Sequence, residues 1–456
     1  MATEPRISIH GQWSSRLAFI LAATGSAVGL GNIWKFPYIT GMNGGGAFVL
    51  VYLLCILGIG IPILMAETML GRRGRQSPIN TMAALAAEAG GAKVWAWVGW
   101  MGVLAGFLIL SYYSVIAGWA LAYVFRAASG MFTGMNAESI NNIFASFVSD
   151  PERVLAWHSI FMVMTMVVVA RGVQHGLEKS VRYMMPTLFI ILLVLVLYAA
   201  TTGYFGAGFR YMFAPDFSKL TWNSVLVAMG HAFFTLSLGM GAIMMYGSYL
   251  PAGTSIAKTS LVIAGADTAV SLLAGLAIFP IVFAYGLEPN VGPSLIFKTL
   301  PIAFGQMDAG VLIGTLFFIL LVFAAWSSSI SLIEPAVAWL VENHNMTRIS
   351  ASVWLGVWSW LLGMATILSF NHWEQYKIFG KTFFDLIDHL TANIMLPLGG
   401  LLIAIFAGWV VGVKASYDEM DNGKQGYALW LFLVRFVTPV AVILIFLNVS
   451  GLLDWL

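Results

Sequence analysis

The chain is dominated by long apolar runs that are separated by short polar connections. A helix that crosses the hydrocarbon core of a bilayer needs about 20 mostly apolar residues. Eleven runs reach that length, and they predict spans at about 16–40, 46–71, 94–126, 154–171, 180–202, 222–249, 258–286, 308–341, 350–370, 382–412 and 427–449. The pattern therefore predicts an all-α polytopic membrane protein with 11 transmembrane helices.

The first of these runs is interrupted where a continuous helix is expected. Three glycines and a proline, at Gly25, Gly29, Gly31 and Pro37, fall within one short segment. Each glycine inside a helix costs roughly 1 kcal/mol relative to alanine, and a helix in lipid must satisfy its own backbone hydrogen bonds. Broken helices at membrane depth are tolerated where they line a protected cavity, and there they bind substrate and ions. We therefore expect the first span to be broken at the midplane.

The sixth run carries a matching interruption. Gly239 and Gly241 lie at its centre, in the same Gly-x-Gly pattern as Gly29 and Gly31, and the hydroxyl of Thr235 lies beside them. The two patterns are five spans apart, an odd number, so the two interrupted spans run in opposite directions through the bilayer. This arrangement is typical of inverted repeats, here at about 13–202 and 222–412 with an extra helix at 427–449. Small residues also let helices pack closely, which is the alternative for either cluster alone.

Composition agrees with a single membrane domain over residues 1–456. Hydrophobic residues make up 60% of the chain and charged residues only 9%, whereas soluble domains carry about 25% charged residues. The net charge of +2 gives no indication of a nucleic-acid partner. The single cysteine, Cys55, lies in an apolar run and is expected to be a buried, inert thiol.

The distribution of basic residues predicts the orientation in the cell membrane. Basic residues such as Arg72, Arg73 and Arg75 are more numerous in the connections on the side of the N-terminus. By the positive-inside rule this side is cytoplasmic, and 11 crossings then place the C-terminus outside. The polar first residues and the long first apolar run show no cleavable signal peptide.

Several polar residues fall inside apolar spans and are candidates for chemistry. A carboxylate at the bilayer centre, such as Asp267, costs several kcal/mol and indicates a functional site. The run Ser327-Ser328-Ser329 also lies in an apolar span, although serines in spans often bond only to their own helix backbone.

Other classes of membrane protein have weaker support from the residues. The seven histidines are scattered, with no metal-binding pair at positions i and i+4, so no enzyme and no organic cofactor is expected. A channel would need an open polar path, whereas the polar groups here cluster at one depth. A substrate sensor built on the same fold stays an alternative.

The motifs resemble those of the neurotransmitter:sodium symporter family, which has the leucine-transporter fold, and among bacterial members they are similar to transporters of many hydrophobic amino acids. The resemblance implies a functional monomer in membrane lipid that imports hydrophobic L-amino acids with Na⁺ by alternating access. The matching segments run from Trp13 to about Asp388 and are GSAVGLGNIWKFP (25–37), NGGGAF (43–48), AFFTLSLGMGA (232–242) and SSSISLIE (327–334), with Trp13, Arg16, Pro62, Glu67, Gly71 and Arg72.

The resemblance implies two sodium sites. The first site would use the Ala27 carbonyl, Asn32, Thr235, Asp267 and the carboxylate of the substrate. The second site would use the carbonyls of Gly25, Val28 and Ala324 with the hydroxyls of Ser327 and Ser328.

The resemblance also bears on chloride. Other members carry asparagine at the position of Asp267 and take chloride nearby, and Ser271 resembles the serine of those members. Because Asp267 already provides a fixed negative charge beside the first sodium, transport is expected to need no chloride.

For the substrate, the resemblance implies a site at the two breaks. The carboxylate would meet the amides near Leu30 and Gly31, the first sodium and the Tyr113 hydroxyl, and the ammonium would meet carbonyls near Phe234, Thr235 and Ser237. An apolar pocket discriminates weakly between hydrophobic side chains, and Met240 is pliable, so a broad range is expected: leucine, isoleucine, valine, phenylalanine, tyrosine and tryptophan. The pocket for the side chain would be lined by Ser26, Ile109, Phe234, Met240 and Leu332.

Gates on both sides follow from the same resemblance. Lys35 and Asp388 match the outer charge pair, and Phe234 with Tyr113 would form an aromatic lid below it. Apart from the resemblance, the apolar composition of the outer connection 287–307 suits a lid packed back onto the protein, with an ordinary connector as the alternative.

On the inner side, His10 stands where the family has arginine, with Glu342 as its partner and Arg6 as an alternative to His10. Gly176 and Pro186 would let the fifth span unwind towards the second sodium, and Glu67 would hold amides of the broken sixth span.

Overall fold

The computed structural model describes residues 6, 8–289, 295–420 and 423–449, and these residues are almost entirely helical. Their only β-type pairing is an isolated bridge between Ile378 and Lys381. The predicted all-α class is therefore confirmed. The helices are Arg16–Ala27, Gly31–Met42, Gly46–Gly74, Pro78–Glu88, Lys93–Ala128, Ala137–Val148, Pro151–Ala170, Val173–Thr201, Phe205–Phe213, Trp222–Thr235, Ala242–Ser248, Ile256–Ala284, Thr299–Gln306, Gly310–His344, Arg348–Ser369, Phe383–Val410, Val413–Met420 and Gly423–Leu444, the last continuing to Val449.

Within the described part of the chain, nine helices are long and apolar enough to cross a membrane, or ten if one bent pair counts as a single span. That pair is Arg16–Ala27 with Gly31–Met42, which meet at an angle of 50°. The predicted sixth span is outside this count, because Trp222–Thr235 and Ala242–Ser248 are separated by six residues, 236–241. The total of 11 spans therefore stays a prediction.

The segment between the two helices of the sixth span has a backbone that depends on glycine. Gly239 and Gly241 have φ angles of 81° and 74°, and Ser237 between the helices has φ 55°. Glycine adopts positive φ without steric cost. A Cβ at Gly239 would also lie 2.2 Å from the carbonyl oxygen of Leu396 in the tenth span, so the position has no room for a side chain.

The third and eighth spans form the central pair of the bundle. They pack closely against each other, and the first span packs on the seventh and eighth. Gly106 lets the two backbones approach, since a Cβ there would lie 2.5 Å from the carbonyl oxygen of Leu332. Small residues at helix crossings are typical of membrane proteins. This packing brings the first, third, sixth and eighth spans to one central cavity, and the seventh span packs beside it against the first.

The structure differs from the sequence-based bounds most at the fifth span. The prediction begins at about residue 180, whereas the helix runs from Val173 to Thr201 and opens with a π-helical turn at Val173–Glu178. Gly176 and Pro186 both lie within this helix.

The connection 287–307, predicted to be extracellular, packs into the protein where it is described. Ile296, Phe297 and Leu300 are buried, and residues 299–306 form a helix against the eighth span. Residues 290–294 of the predicted lid, with Pro293, lie outside the described residues.

Candidate functional site

The two helix breaks face each other across a small buried cavity. It has a volume of about 30 Å³, room for only a few water molecules. Every residue that the sequence predicts in contact with the substrate lines it, apart from Thr235. The complete lining is Ser26, Ala27, Gly29, Leu30, Gly31, Ile109, Tyr113, Phe234, Ser237, Met240, Ser328 and Leu332.

One end of this cavity is polar. The Leu30 amide donates a hydrogen bond to the Tyr113 hydroxyl at 3.2 Å, and the Ser237 hydroxyl donates to the Ser26 carbonyl at 2.8 Å. The Ser26 hydroxyl donates to Ser331 at 2.8 Å. Main-chain groups of the first break and the Ser237 hydroxyl of the second break thus lie at the cavity, while side chains such as Leu332 form apolar walls. A polar end and an apolar end together suit a free amino acid with an apolar side chain.

A cluster of oxygen atoms lies beside the polar end, around Asn32. The Asn32 side-chain nitrogen lies 2.7 Å from Asp267 Oδ1, 2.9 Å from Thr235 Oγ1 and 2.9 Å from Ser271 Oγ. The Thr235 hydroxyl donates to Asp267 Oδ2 at 3.0 Å. Asn32 and Asp267 are fully buried. The side chains of the predicted first sodium site are therefore in contact, although they come from the first, sixth and seventh spans.

A second cluster lies on the other side of the first-span break. The Ser328 hydroxyl is 3.1 Å from the carbonyl oxygens of Ser26 and Val28 and 3.4 Å from that of Gly25. The neighbouring Ser327 hydroxyl donates to the Ala324 carbonyl at 3.1 Å. The Ser328 hydroxyl thus joins the eighth span to the predicted ligands Gly25 and Val28 of the first span, whereas the Ser327–Ala324 contact lies within the eighth span itself.

Both clusters are rich in carbonyl, hydroxyl and carboxylate oxygens, although in the first cluster the Asn32 side-chain nitrogen, not its oxygen, faces Asp267. Oxygens of these kinds are the ligands that hard cations prefer. The free carbonyls exist because the helix is interrupted, since a continuous helix would use them in its own hydrogen bonds. The two clusters thus fit cations of the Na⁺ type as transported ions.

Comparison with known proteins identifies the class. A family model described as the sodium:neurotransmitter symporter family matches residues 10–146 and 144–452. The uncharacterized sodium-dependent transporter YhdH of Bacillus subtilis is 40% identical, over 97% of this chain and 98% of its own length. An uncharacterized sodium-dependent transporter of Haemophilus influenzae is 35% identical, over 96% of this chain and 97% of its own length.

The chain belongs to the sodium:neurotransmitter symporter family.

A solved structure agrees with this membership. The crystal structure of MhsT in complex with L-phenylalanine matches with a TM-score of 0.90 and 43% identity, covering 96% of this chain and 99% of that chain. The leucine-transporter fold expected from the motifs is therefore confirmed. As a member of the family, the protein is a sodium-dependent transporter that crosses the membrane several times, and it is not an enzyme.

On the side predicted to be extracellular, the charged pair expected from the family resemblance is arranged differently. Among the described residues, Lys35 and Asp388 form no ion pair. The Lys35 ammonium lies 4.4 Å from the centroid of the Phe234 ring, and the Tyr112 hydroxyl donates to Asp388 at 3.1 Å. Lys35 therefore makes a cation–π contact with Phe234, the aromatic residue predicted to close the site. Asp388 is instead hydrogen-bonded to Tyr112 of the third span.

On the side predicted to be cytoplasmic, the proposed partners meet. His10 Nε2 lies 3.0 Å from Glu342 Oε1, which also accepts a hydrogen bond from the Ser77 amide at 2.7 Å. Arg6, the alternative to His10, instead pairs with Glu88 at 3.2 Å. Trp13, next to this contact, is buried. The substitution of histidine for the family's arginine therefore keeps the contact to Glu342.

Glu67 contacts the break in the sixth span, as the resemblance implies. Its Oε1 accepts a hydrogen bond from the Gly239 amide at 2.7 Å, and the carboxylate is fully buried. A carboxylate on the second span thus satisfies a backbone donor that the break leaves without a helical partner.

Two contacts of the first span are not among the sequence-based predictions. Ser331 bonds to Ser26 within the site, and the serine-rich run 327–331 was a usable signal for it. Near the inner end, the Ser14 amide donates to Glu178 Oε2 at 3.0 Å. Nothing in the pattern pairs these two residues, because they are distant in sequence and both lie in polar segments.

Proposed function

We propose that this protein imports hydrophobic L-amino acids together with Na⁺ by alternating access. The observation that carries the proposal is the central cavity between the two breaks, where polar groups such as the Tyr113 and Ser237 hydroxyls lie beside apolar side chains such as Leu332. The match to MhsT in complex with L-phenylalanine supports the same substrate class. Because the cavity is small, substrate entry requires lining side chains such as Phe234 and Met240 to move.

Two sodium sites are part of this proposal. The first is the cluster around Asn32 and Asp267, and the second is the cluster around Ser328. Sodium would bind from outside, complete the substrate site and leave inside, where its concentration is low. The membrane potential adds about 2.3 kcal/mol per charge per 100 mV to the driving force.

The inner contacts supply the gate of this cycle. The His10–Glu342 contact and the buried Trp13 close the inner side, and they must separate before ions and substrate are released inward. On the outer side, Phe234 with Lys35 above it closes the path.

Uptake into proteoliposomes tests the proposal. Radiolabelled leucine or tryptophan is expected to accumulate above equilibrium only when an inward Na⁺ gradient is imposed, and unlabelled hydrophobic amino acids are expected to compete. Aspartate and lysine are the matched controls and are expected to compete poorly, because the predicted pocket offers no charge to their side chains. Sodium-independent equilibration would indicate a channel instead.

Transport is expected to need no chloride. Asp267 Oδ1 lies 2.7 Å from the Asn32 side-chain nitrogen, so a fixed negative charge stands where the ion-binding groups meet. Replacing chloride with gluconate at constant Na⁺ is therefore expected to leave the uptake rate unchanged. Loss of uptake in gluconate that returns when chloride is added would overturn this expectation.

Replacing Pro186 with alanine is expected to slow transport while leaving Na⁺-dependent binding unchanged. Proline inside a helix removes a hydrogen bond and destabilises the helix by about 3 kcal/mol. Alanine would stabilise the fifth span and slow its unwinding by about tenfold or more. Uptake rate and binding affinity are measured on the same preparation.

Pro280→Ala provides the control for this comparison, since Pro280 also lies inside a helix, in the seventh span. Its uptake rate is expected to change less than that of Pro186→Ala. An equal loss of binding and transport in Pro186→Ala would contradict a role in gating.

A further inference from the structure

A large apolar groove lies on the side of the helix bundle, apart from the transport path. It has a volume of about 600 Å³. The third, eighth and ninth spans form its walls, and Met395 of the tenth span lies at its floor. Every lining side chain is apolar or tryptophan, and they are Trp97, Trp100, Met101, Val103, Leu104, Phe107, Ala336, Trp339, Leu340, Leu355, Trp358 and Met395. We call this feature the tryptophan groove.

The tryptophan groove opens towards lipid. At its rim, Trp97 is 70% exposed, Leu104 50% and Trp358 49%, whereas Ala336 and Met395 at its floor are buried. These exposed side chains belong to membrane-length helices, so they face hydrocarbon in the membrane. A groove of this kind can be filled only by the protein's own side chains or by an apolar chain.

One end of the groove lies at a membrane–water interface. Lys93 begins the helix of the third span, one turn before Trp97, and residues four apart on a helix are neighbours. At the end of the eighth span, the His344 ring lies 4.9 Å from the ring of Trp339. Tryptophan is enriched at membrane interfaces, and basic residues there attract anionic headgroups. Lys93 and His344 are both exposed at this end.

The other end of the groove approaches the central cavity. Ala336 lies one helical turn beyond Leu332, which lines the cavity, and Phe107 precedes the cavity residue Ile109 by two positions. The groove and the cavity therefore share the walls of the third and eighth spans.

We propose that the tryptophan groove binds one acyl chain of an anionic glycerophospholipid. The chain would lie between the third and ninth spans, and the phosphate would lie near Lys93 at the interface. By the predicted topology this is the cytoplasmic leaflet. The proposal concerns a site distinct from the cavity and does not depend on which amino acid is transported.

Photocrosslinking of the full-length protein in phosphatidylcholine nanodiscs tests the proposal. The probe is a phosphatidylglycerol with a diazirine in the middle of one acyl chain, and labelled peptides are mapped by mass spectrometry. Labelling is expected to concentrate on the groove residues of the third, eighth and ninth spans. Equal labelling of the exposed face of the fifth span, around Ile190 and Leu197, would show ordinary boundary lipid and would overturn the proposal.

Variants separate the chain site from the headgroup site. Ala336→Phe fills the floor of the groove, and Leu104→Trp at the exposed rim serves if the first variant folds poorly. Loss of contact with even two methylene groups lowers the binding of a lipid chain about tenfold, so labelling of the groove is expected to fall by that factor. Ile190→Phe on the fifth span is the matched control and is expected to leave groove labelling unchanged.

The headgroup is tested by competition. Unlabelled phosphatidylglycerol is expected to displace the probe better than phosphatidylcholine in the parent protein, and Lys93→Gln is expected to remove this difference. Equal competition by both lipids in the parent protein would overturn the assignment of an anionic headgroup. Unchanged labelling in both groove-filling variants would overturn the acyl-chain site.

Discussion

Replacing Asp267 with asparagine is expected to lower the Na⁺ affinity about 100-fold or more. The carboxylate is fully buried and lies 2.7 Å from Asn32 and 3.0 Å from the Thr235 hydroxyl. Two opposite charges 4 Å apart attract by about 4 kcal/mol at an effective dielectric constant of 20, and each 1.4 kcal/mol is a factor of ten. Substrate binding measured against Na⁺ concentration gives the affinity.

Ser271→Ala is the matched control for this substitution. The Ser271 hydroxyl also lies 2.9 Å from the Asn32 nitrogen, but it carries no charge. Its removal is expected to change the Na⁺ affinity by about tenfold at most, the value of one neutral hydrogen bond. If Asp267→Asn and Ser271→Ala show the same Na⁺ dependence as the parent protein, Asp267 is not a ligand of a transported cation.

Replacing Gly239 with alanine is expected to abolish Na⁺-dependent substrate binding. The added Cβ would lie 2.2 Å from the Leu396 carbonyl oxygen, and alanine would have to adopt a φ of 81°. Separations below the contact distance force the backbone to move, and the left-handed conformation adds roughly 1–2 kcal/mol. The break would shift away from the tenth span, and the hydrogen bond from the Gly239 amide to Glu67 would be lost with it. Equilibrium binding of labelled substrate to purified protein measures the loss.

Gly230→Ala in the same span is the control, because a Cβ at Gly230 would meet no atom within 4 Å. This variant is expected to bind Na⁺ and substrate as the parent protein does. Size-exclusion chromatography of both variants separates a local effect on the site from a failure to fold. Normal binding by Gly239→Ala would mean that substrate and Na⁺ binding do not depend on the backbone conformation that Gly239 adopts in the break.

Most of the fold and the position of the site could be predicted from the sequence. Long apolar runs specify membrane helices because lipid excludes unpaired backbone groups, and the glycine pairs mark the breaks for the same reason. The predicted ligands around Asn32 and Ser328 lie together because the fold packs the motifs that contain them against one another. The family resemblance supplied their roles, which the spacing alone does not give.

Three features could not be predicted from the sequence: the start of the fifth span, the partner of Lys35 and the tryptophan groove. The first turn of the fifth span contains Gln174, His175 and Glu178, so its polarity resembles that of a loop, and the helix begins at Val173. Lys35 can reach either Phe234 or Asp388, and the sequence does not say which partner it takes. The tryptophan groove likewise arises from three helices whose relative rotation is set only by packing.

The amide of Asn32 has a consequence for the entropy of ligand binding. Its oxygen accepts a hydrogen bond from the Gly29 amide at 2.9 Å, and its nitrogen contacts oxygens of the sixth and seventh spans. The unwound backbone of the first span is thereby fixed to two other helices through its own side chain. Much of the conformational entropy of this segment is lost when the chain folds rather than when ligands arrive. These contacts allow a non-helical segment in a membrane to keep one shape before ligands bind.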